Sequence, residues 1–225
     1  MKRLLTLALF SLLVSATIFG QQPRMAFWTD LEKDVFRELN LVRTNPKAYA
    51  QIVLDLKKHY EGKMLNLPGQ IPLQTTEGWK AAKECYEYLL KAEPVEPLRP
   101  SRGLSSASKD HVQDQGRTSN VGHDGTDGSS MVERIERYGN WHVTVGENID
   151  YGNNTGREIV LALLIDDGVP SRGHRTNIMN PEFRAVGIAC GPHKGYRYMC
   201  VMDLAGDFSK KNTIKTRGQD SATEE

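Results

Sequence analysis

Apolar residues follow a helical rhythm through the first half of the chain. In DLEKDVFRELNLVRTN, residues 30–45, Leu31, Val35, Leu39 and Val42 recur at three- and four-residue steps on one face, with Asp30 near the start and Asn45-Pro46 closing the helix. PKAYAQIVLDLKKHY, residues 46–60, reads as a second helix opened by a proline in its first turn. Residues 61–76, with two prolines and two glycines, read as a loop. EGWKAAKECYEYLLKAE, residues 77–93, is a third helix. In PVEPLRPSRG, residues 94–103, three prolines in seven residues cannot continue it. LSSASKDHVQDQGRTS, residues 104–119, is a fourth helix.

The pattern changes from residue 122. GHDGTDGSS is a turn-rich loop, MVERIERYG a short helix, and HVTVGENI an extended segment. In NTGREIVLALLIDDG, Thr155 and Glu158 form the Thr-x-x-Glu pattern of a capping box, and the run behind them is apolar on nearly every side. That predicts a largely buried helix over residues 156–167. AVGIA and YRYMCVMDL flank Gly191, Pro192 and Gly195, the pattern of a hairpin at residues 184–205. The segment SKKNTIKTRGQDSATEE has almost no apolar content, so residues 209–225 read as a disordered polar tail.

Of 225 residues 39% are hydrophobic and 25% charged, which fits one globular domain, placed at residues 27–208. Lys and Arg total 29 against 28 Asp and Glu, so nothing in the overall charge argues for nucleic acid or an acidic membrane surface, and the expectation is no nucleic-acid partner. Export is read from the N-terminus. Lys2 and Arg3 precede the apolar run LLTLALFSLLVSATIF, followed by polar GQQPR, the layout of a signal peptide over residues 1–20 with cleavage after Ala16 or Gly20. An uncleaved N-terminal anchor is the alternative. The expectation is a secreted protein, extracellular or periplasmic, and soluble rather than membrane-embedded. Cys190 and Cys200 could face each other across the hairpin, where an oxidising compartment would allow a disulfide; two free core cysteines are the alternative. Cys85 is left to pack as a small buried hydrophobe.

Three short pieces carry the candidate chemistry: VGHDG with His123, VGENI with Glu147, and RGHRTNI with His174. Each sets an ionisable residue directly after a glycine, where backbone freedom lets a polar side chain point into a cleft. Taken singly, each could be a loop histidine, a capping carboxylate or a helix-start residue. In the order LNLVRTNP, GHDG followed by RIERYG, GENI, then GHRTNI with FRAVGIAC, they resemble the bacterial, SCP-like branch of the CAP superfamily over roughly residues 30–208. The superfamily takes its name from cysteine-rich secretory proteins, antigen 5 and pathogenesis-related proteins. The resemblance implies an α+β fold, an α-β-α sandwich in which helices flank a small antiparallel sheet.

It also implies a cleft of two histidines and two acidic residues. By motif these are His123, Glu147 and His174, with the fourth on the helix before His174, which ends LALLIDDG without the tryptophan frequent in relatives. That leaves Asp166 or Asp167, and Asp167 is placed in the cleft, with Arg175 bracing a carboxylate at the corner that Gly173 opens. DDGVPSRGHR departs from the shorter bacterial form, and the multiple disulfides of eukaryotic members are missing.

Two neutral imidazoles, His123 and His174, suit zinc or a similar divalent ion, with carboxylates completing the shell or orienting the rings. An open coordination position could polarise a water with Glu147 as its base. The spacing of DGTDGS does not fit an EF-hand, no Gly-x-Ser-x-Gly elbow is present, His111 reads as structural, and His142 and His193 read as loop or strand-edge residues. The leading expectation is a binding module whose cleft takes a divalent metal and a small-molecule or lipid ligand. The alternatives are a metal-assisted hydrolase of peptide or envelope substrates and a purely structural His/Glu cluster.

Overall fold

The computed structural model describes residues 25–211. The signal-peptide reading of residues 1–20, and the tail reading from residue 212 on, lie outside the described residues. Seven helices are present among the described residues: α1 Asp30–Thr44, α2 Pro46–Asp55, α3 Trp79–Lys91, α4 Arg102–Gln115, α5 Met131–Glu136, α6 Gly156–Ile165 and α7 Gly173–Met179. The strands are β1 Tyr60–Glu61, β2 Met64–Leu65, β3 Leu73–Gln74, β4 Arg99–Pro100, β5 Gly139–Tyr151, β6 Ala185–His193 and β7 Arg197–Lys210. None of these helices is long and apolar enough to cross a membrane.

The main sheet runs β4-β6-β7-β5, antiparallel except where the two-residue β4 joins β6 in parallel. Helices α4 and α5 pack on one face; α1, α6 and α7 pack on the other, with α2 and α3 behind them. This is the α-β-α sandwich. Helix α1 buries Val35, Leu39 and Val42 against α6, and Leu31 is partly buried, as the spacing predicts. Each such side chain contributes roughly 1.5–3 kcal/mol when removed from water. The α1 start is a reciprocal cap: Thr29 Oγ1 accepts from Glu32 N, and Glu32 Oε2 accepts from Thr29 N. The other Glu32 oxygen accepts from Cys190 N at 3.0 Å, tying α1 to β6.

Arg43 closes the same helix from inside the protein. Fully buried, it donates to the carbonyls of Glu96, Ile178, Asn180 and Phe183, and so fastens the C-terminal end of α7 to α1. Thr155 caps α6 as expected, accepting from Glu158 N. The helix ends at Ile165, two residues before the sequence limit, because Asp166 turns left-handed at φ 56° and ψ 45°.

The β6–β7 hairpin sets Cys190 directly opposite Cys200 at a Cα separation of 4.0 Å, and the two form a disulfide. Cys85 is free and buried, and burial pushes its thiol up to about 12. Residues 61–76 are more ordered than a loop: β1, β2 and β3 form a small antiparallel sheet, whose two-residue strands are too short to show alternation in sequence. Ser209 and Lys210, read from the sequence as the start of a polar tail, are in β7 and pair with Asn140 and Gly139. Strand β5 carries a bulge. Its His142 pairs with Asp207 but Val145 with Ala205, so β5 advances by three residues while β7 retreats by two. Val143 takes φ 72° at this point, and Gly206 opposite has no room for a side chain: a Cβ there would lie 2.8 Å from that of Val143.

Candidate functional site

The loop between α4 and α5 carries His123, and the residue before it is clamped from three directions. Gly122 has φ 111°, a region side chains rarely enter. Its N–H donates to the Tyr151 hydroxyl at 3.0 Å, and its carbonyl accepts from His111 Nε2 and Gln115 Nε2, each at 2.9 Å. So placed, His123 Nδ1 meets Glu147 Oε1 at 2.8 Å. The other Glu147 oxygen accepts from Arg134 Nη2 at 2.9 Å, and these two side chains are only 1% and 2% exposed.

Behind this pair, Asp203 stands opposite Glu147 on β7 and is wholly buried. Ser108 Oγ donates to its Oδ2 at 2.8 Å. Burial first, and then the charge of Glu147, push the Asp203 carboxyl well above the usual carboxylate range. Burial pushes Glu147 upward too, but the hydrogen bond with His123 and the charge of Arg134 outweigh it and hold Glu147 below its ordinary value. The same hydrogen bond raises His123. Burial lowers His111, whose neutral ring then donates through Nε2 and leaves Nδ1 buried without a partner.

The second histidine is set by the α6–α7 corner. Asp166 Oδ1 meets His174 Nδ1 at 2.7 Å, and its Oδ2 accepts the His174 backbone N–H at 3.0 Å. Asn148 joins this corner to the sheet, donating to the His174 carbonyl at 3.1 Å and accepting from Asn177 Nδ2 at 2.8 Å. Glu147 and Asn148 are successive residues of β5, the edge strand, and point to opposite faces. His123 and His174 therefore approach the β5 edge of the sheet from its two sides.

The sequence model of the Cysteine-rich secretory protein family, CAP, matches residues 36–204, which span this whole arrangement. The chain belongs to the CAP family. A relative from Bacillus subtilis (strain 168), the uncharacterized protein YkwD, is 31% identical over 94 residues, 42% of this chain; the match spans about a third, 35%, of that relative's length. Among solved structures, an extracellular protein containing a SCP domain from Bacillus anthracis str. Ames is 19% identical with a TM-score of 0.41, covering 49% of this chain and 34% of that one. An outer surface protein from Borrelia burgdorferi is 18% identical with a TM-score of 0.42, covering 52% of this chain and 80% of that one.

Within the CAP domain, several sequence expectations need correction. Asp167 does not face His174. Its carboxylate accepts from the backbone N–H groups of Thr76 and Glu77 at 2.6 and 2.8 Å, because the left-handed Asp166 turns the following side chain the other way. Arg175 is not in the cleft: it is 4% exposed, donates to the Leu164 and Ile165 carbonyls that end α6, and pairs with Glu84 at 2.9 Å. The carboxylate it braces is thus on α3. The strained corner residue is Arg172 at φ 51°, not Gly173, and Arg172 is held there by Glu77, Glu84 and the Asp166 carbonyl. The short helix α7 runs on from Gly173 to Met179 and is capped by Asn180. Both oxygens of Glu147, the candidate base, are engaged, by His123 and by Arg134, and its side chain is 1% exposed. Sequence reasoning missed the role of Arg134, although it opens the RIERYG motif, and those of Asp203 and Tyr151, which no local pattern marks.

What remains is two rings, each with Nδ1 on a carboxylate and with no protein hydrogen bond to Nε2 among the described residues. That donor chemistry fits a divalent ion of the zinc class, in which the carboxylates act from behind to fix tautomer and ring orientation. Among the described residues, no group of three or more His, Cys, Asp and Glu is arranged to hold a metal ion. Further ligands would come from water or a bound molecule.

Proposed function

We propose that this is an exported CAP-domain binding protein whose cleft holds a divalent metal, zinc or similar, through His123 and His174, together with a small-molecule or lipidic ligand. One observation carries the reading: each histidine rests through Nδ1 on a buried carboxylate, Glu147 in one case and Asp166 in the other. Such pairs preset a ring to ligate through its remaining nitrogen. A bound divalent ion would supply Lewis acidity toward a ligand oxygen. The chain's own part is positioning. Arg134 and Asp203 keep Glu147 in place, while Arg172 and Asn148 keep the α7 end in place. Export is supported by the signal-type pattern of residues 1–20 and the paired Cys190 and Cys200.

Metal-assisted hydrolysis with Glu147 as base is the weaker reading, since that carboxylate is sealed between His123 and Arg134. The test is calorimetric zinc titration with elemental analysis of wild type beside His123→Ala and His174→Ala. Saturable binding lost in both variants is expected. No binding by the wild type, or binding that survives both changes, overturns the metal site.

A further inference from the structure

A cavity of about 300 Å³ opens where β4, the first turn of α4, the start of β6 and the end of β7 meet, and none of His123, Glu147, Asp166 and His174 lines it. Its charged lining is mostly cationic: Arg99, Arg102 and Lys210 face a single carboxylate, Asp207. Arg99 is paired with that carboxylate at 3.5 Å, and both side chains are well exposed. Among the described residues no ion pair engages Arg102 or Lys210. Arg102 lies instead on an aromatic face, its guanidinium carbon 4.8 Å from the centre of the Phe27 ring, a contact that leaves its N–H edges open.

The frame under these cations is fixed. Phe208 lines the cavity with its ring wedged between two glycines, since a Cβ on Gly103 or on Gly139 would lie 2.3 Å from it. Arg99 N donates to the Arg184 carbonyl and Ser101 N to the Val186 carbonyl, each at 2.8 Å, which holds β4 and the residue after it onto β6. The exposed large hydrophobic side chains of the described residues all lie away from this lining, so its rim offers nothing that would enter a lipid layer.

We infer that this cavity binds a small, soluble phosphate monoester, at a site separate from the histidine cleft. Such an ester has a second pKa of about 6, so it is close to a dianion at neutral pH, and it presents three acceptor oxygens. Two guanidinium groups and an ammonium match that charge and those acceptors, the guanidinium forks in bidentate fashion. Pro100 and Phe208 give its organic group an apolar wall. The volume, at the small end of the range for ligand pockets, limits that group to a compact one.

The experiment titrates the purified protein by calorimetry, at neutral pH and low salt, with phenyl phosphate and with phenyl sulfate, which keeps the ring but carries less negative charge. Phenyl phosphate is expected to bind saturably, and the sulfate about tenfold more weakly. Arg102→Gln and Lys210→Met, both at exposed positions, should leave the unfolding curve unchanged. Each should weaken phenyl phosphate about tenfold, the usual loss when a charged donor is removed. Asp207→Asn removes the one opposing carboxylate and should tighten the complex. Binding should persist when His123→Ala and His174→Ala are combined, which keeps this result separate from the fate of the metal site. No saturable binding of phenyl phosphate, equal binding of the sulfate, or binding undiminished in both Arg102→Gln and Lys210→Met overturns the inference. So does loss of binding in the double histidine variant, or capture by phosphatidate vesicles without binding of the free ester.

Discussion

Asp166 holds His174 by two bonds at once, one to the ring at 2.7 Å and one to the backbone N–H at 3.0 Å, whereas Asp167, its neighbour in sequence, holds the 76–77 backbone instead. A single left-handed residue thus divides two adjacent carboxylates between two jobs.

Asp166→Ala should accordingly weaken zinc binding by about 10- to 100-fold, the usual effect of losing the carboxylate behind a ligating imidazole. Asp167→Ala should leave zinc affinity unchanged while loosening the 60–76 segment. Parallel zinc titrations of the two variants check this, and equal losses would contradict the assignment.

Removing Arg134 leaves Glu147 buried without its cationic partner. Arg134→Met should therefore cost about 3–5 kcal/mol of stability in urea unfolding. Adding Glu147→Gln to that variant should recover part of the loss, because the uncompensated charge is gone. A double variant as unstable as the sum of the singles would show that the pair is not coupled.

Asp150 gives a pH signature. Burial raises its carboxyl from 3.8 to about 6, opposed by hydrogen bonds from Asn153 and by the charge of His174, and helped by Glu158. A folded value above the unfolded one means that its stabilising contribution is fully present below about pH 4 and is lost as pH rises through about 6. The span is of the order of 2–3 kcal/mol. Asp150→Asn should remove that slope, so the variant gains on the wild type between pH 4 and 7 in unfolding experiments.

Reducing the Cys190–Cys200 disulfide should cost at most about 3 kcal/mol, the loop-closure value for its separation of ten residues. The neighbouring pairs Ala189↔Val201 and Gly191↔Met199 already hold the register, so circular dichroism should show the strands intact after reduction.

Much of the frame was legible because periodicity reports burial. The α1 stripe of Val35, Leu39 and Val42, the all-round apolar α6 and the two runs of the β6–β7 hairpin lie where their patterns place them. Of the three motif residues, His123 meets Glu147 and His174 meets Asp166. Side-chain direction at the α6–α7 corner was not legible, since it depends on two non-glycine residues, Asp166 and Arg172, turning left-handed. Nor was the sealing of Glu147, which comes from Arg134, thirteen residues earlier, and from Asp203 across the sheet. Such contacts are long-range or cross-strand and leave no mark in a local window.

The bulge at Val143 acts as a reading-frame device for the cleft. Counting inward from Gly139, one surplus residue decides which positions of β5 face α5 and which face α7. Were that residue deleted while the outer pairing was kept, every later side chain would change faces. Glu147 would then be presented toward α7 and Asn148 toward Arg134, so both histidines would lose their strand anchors together. A one-residue insertion is therefore as much a part of the cleft as either imidazole, although it touches neither.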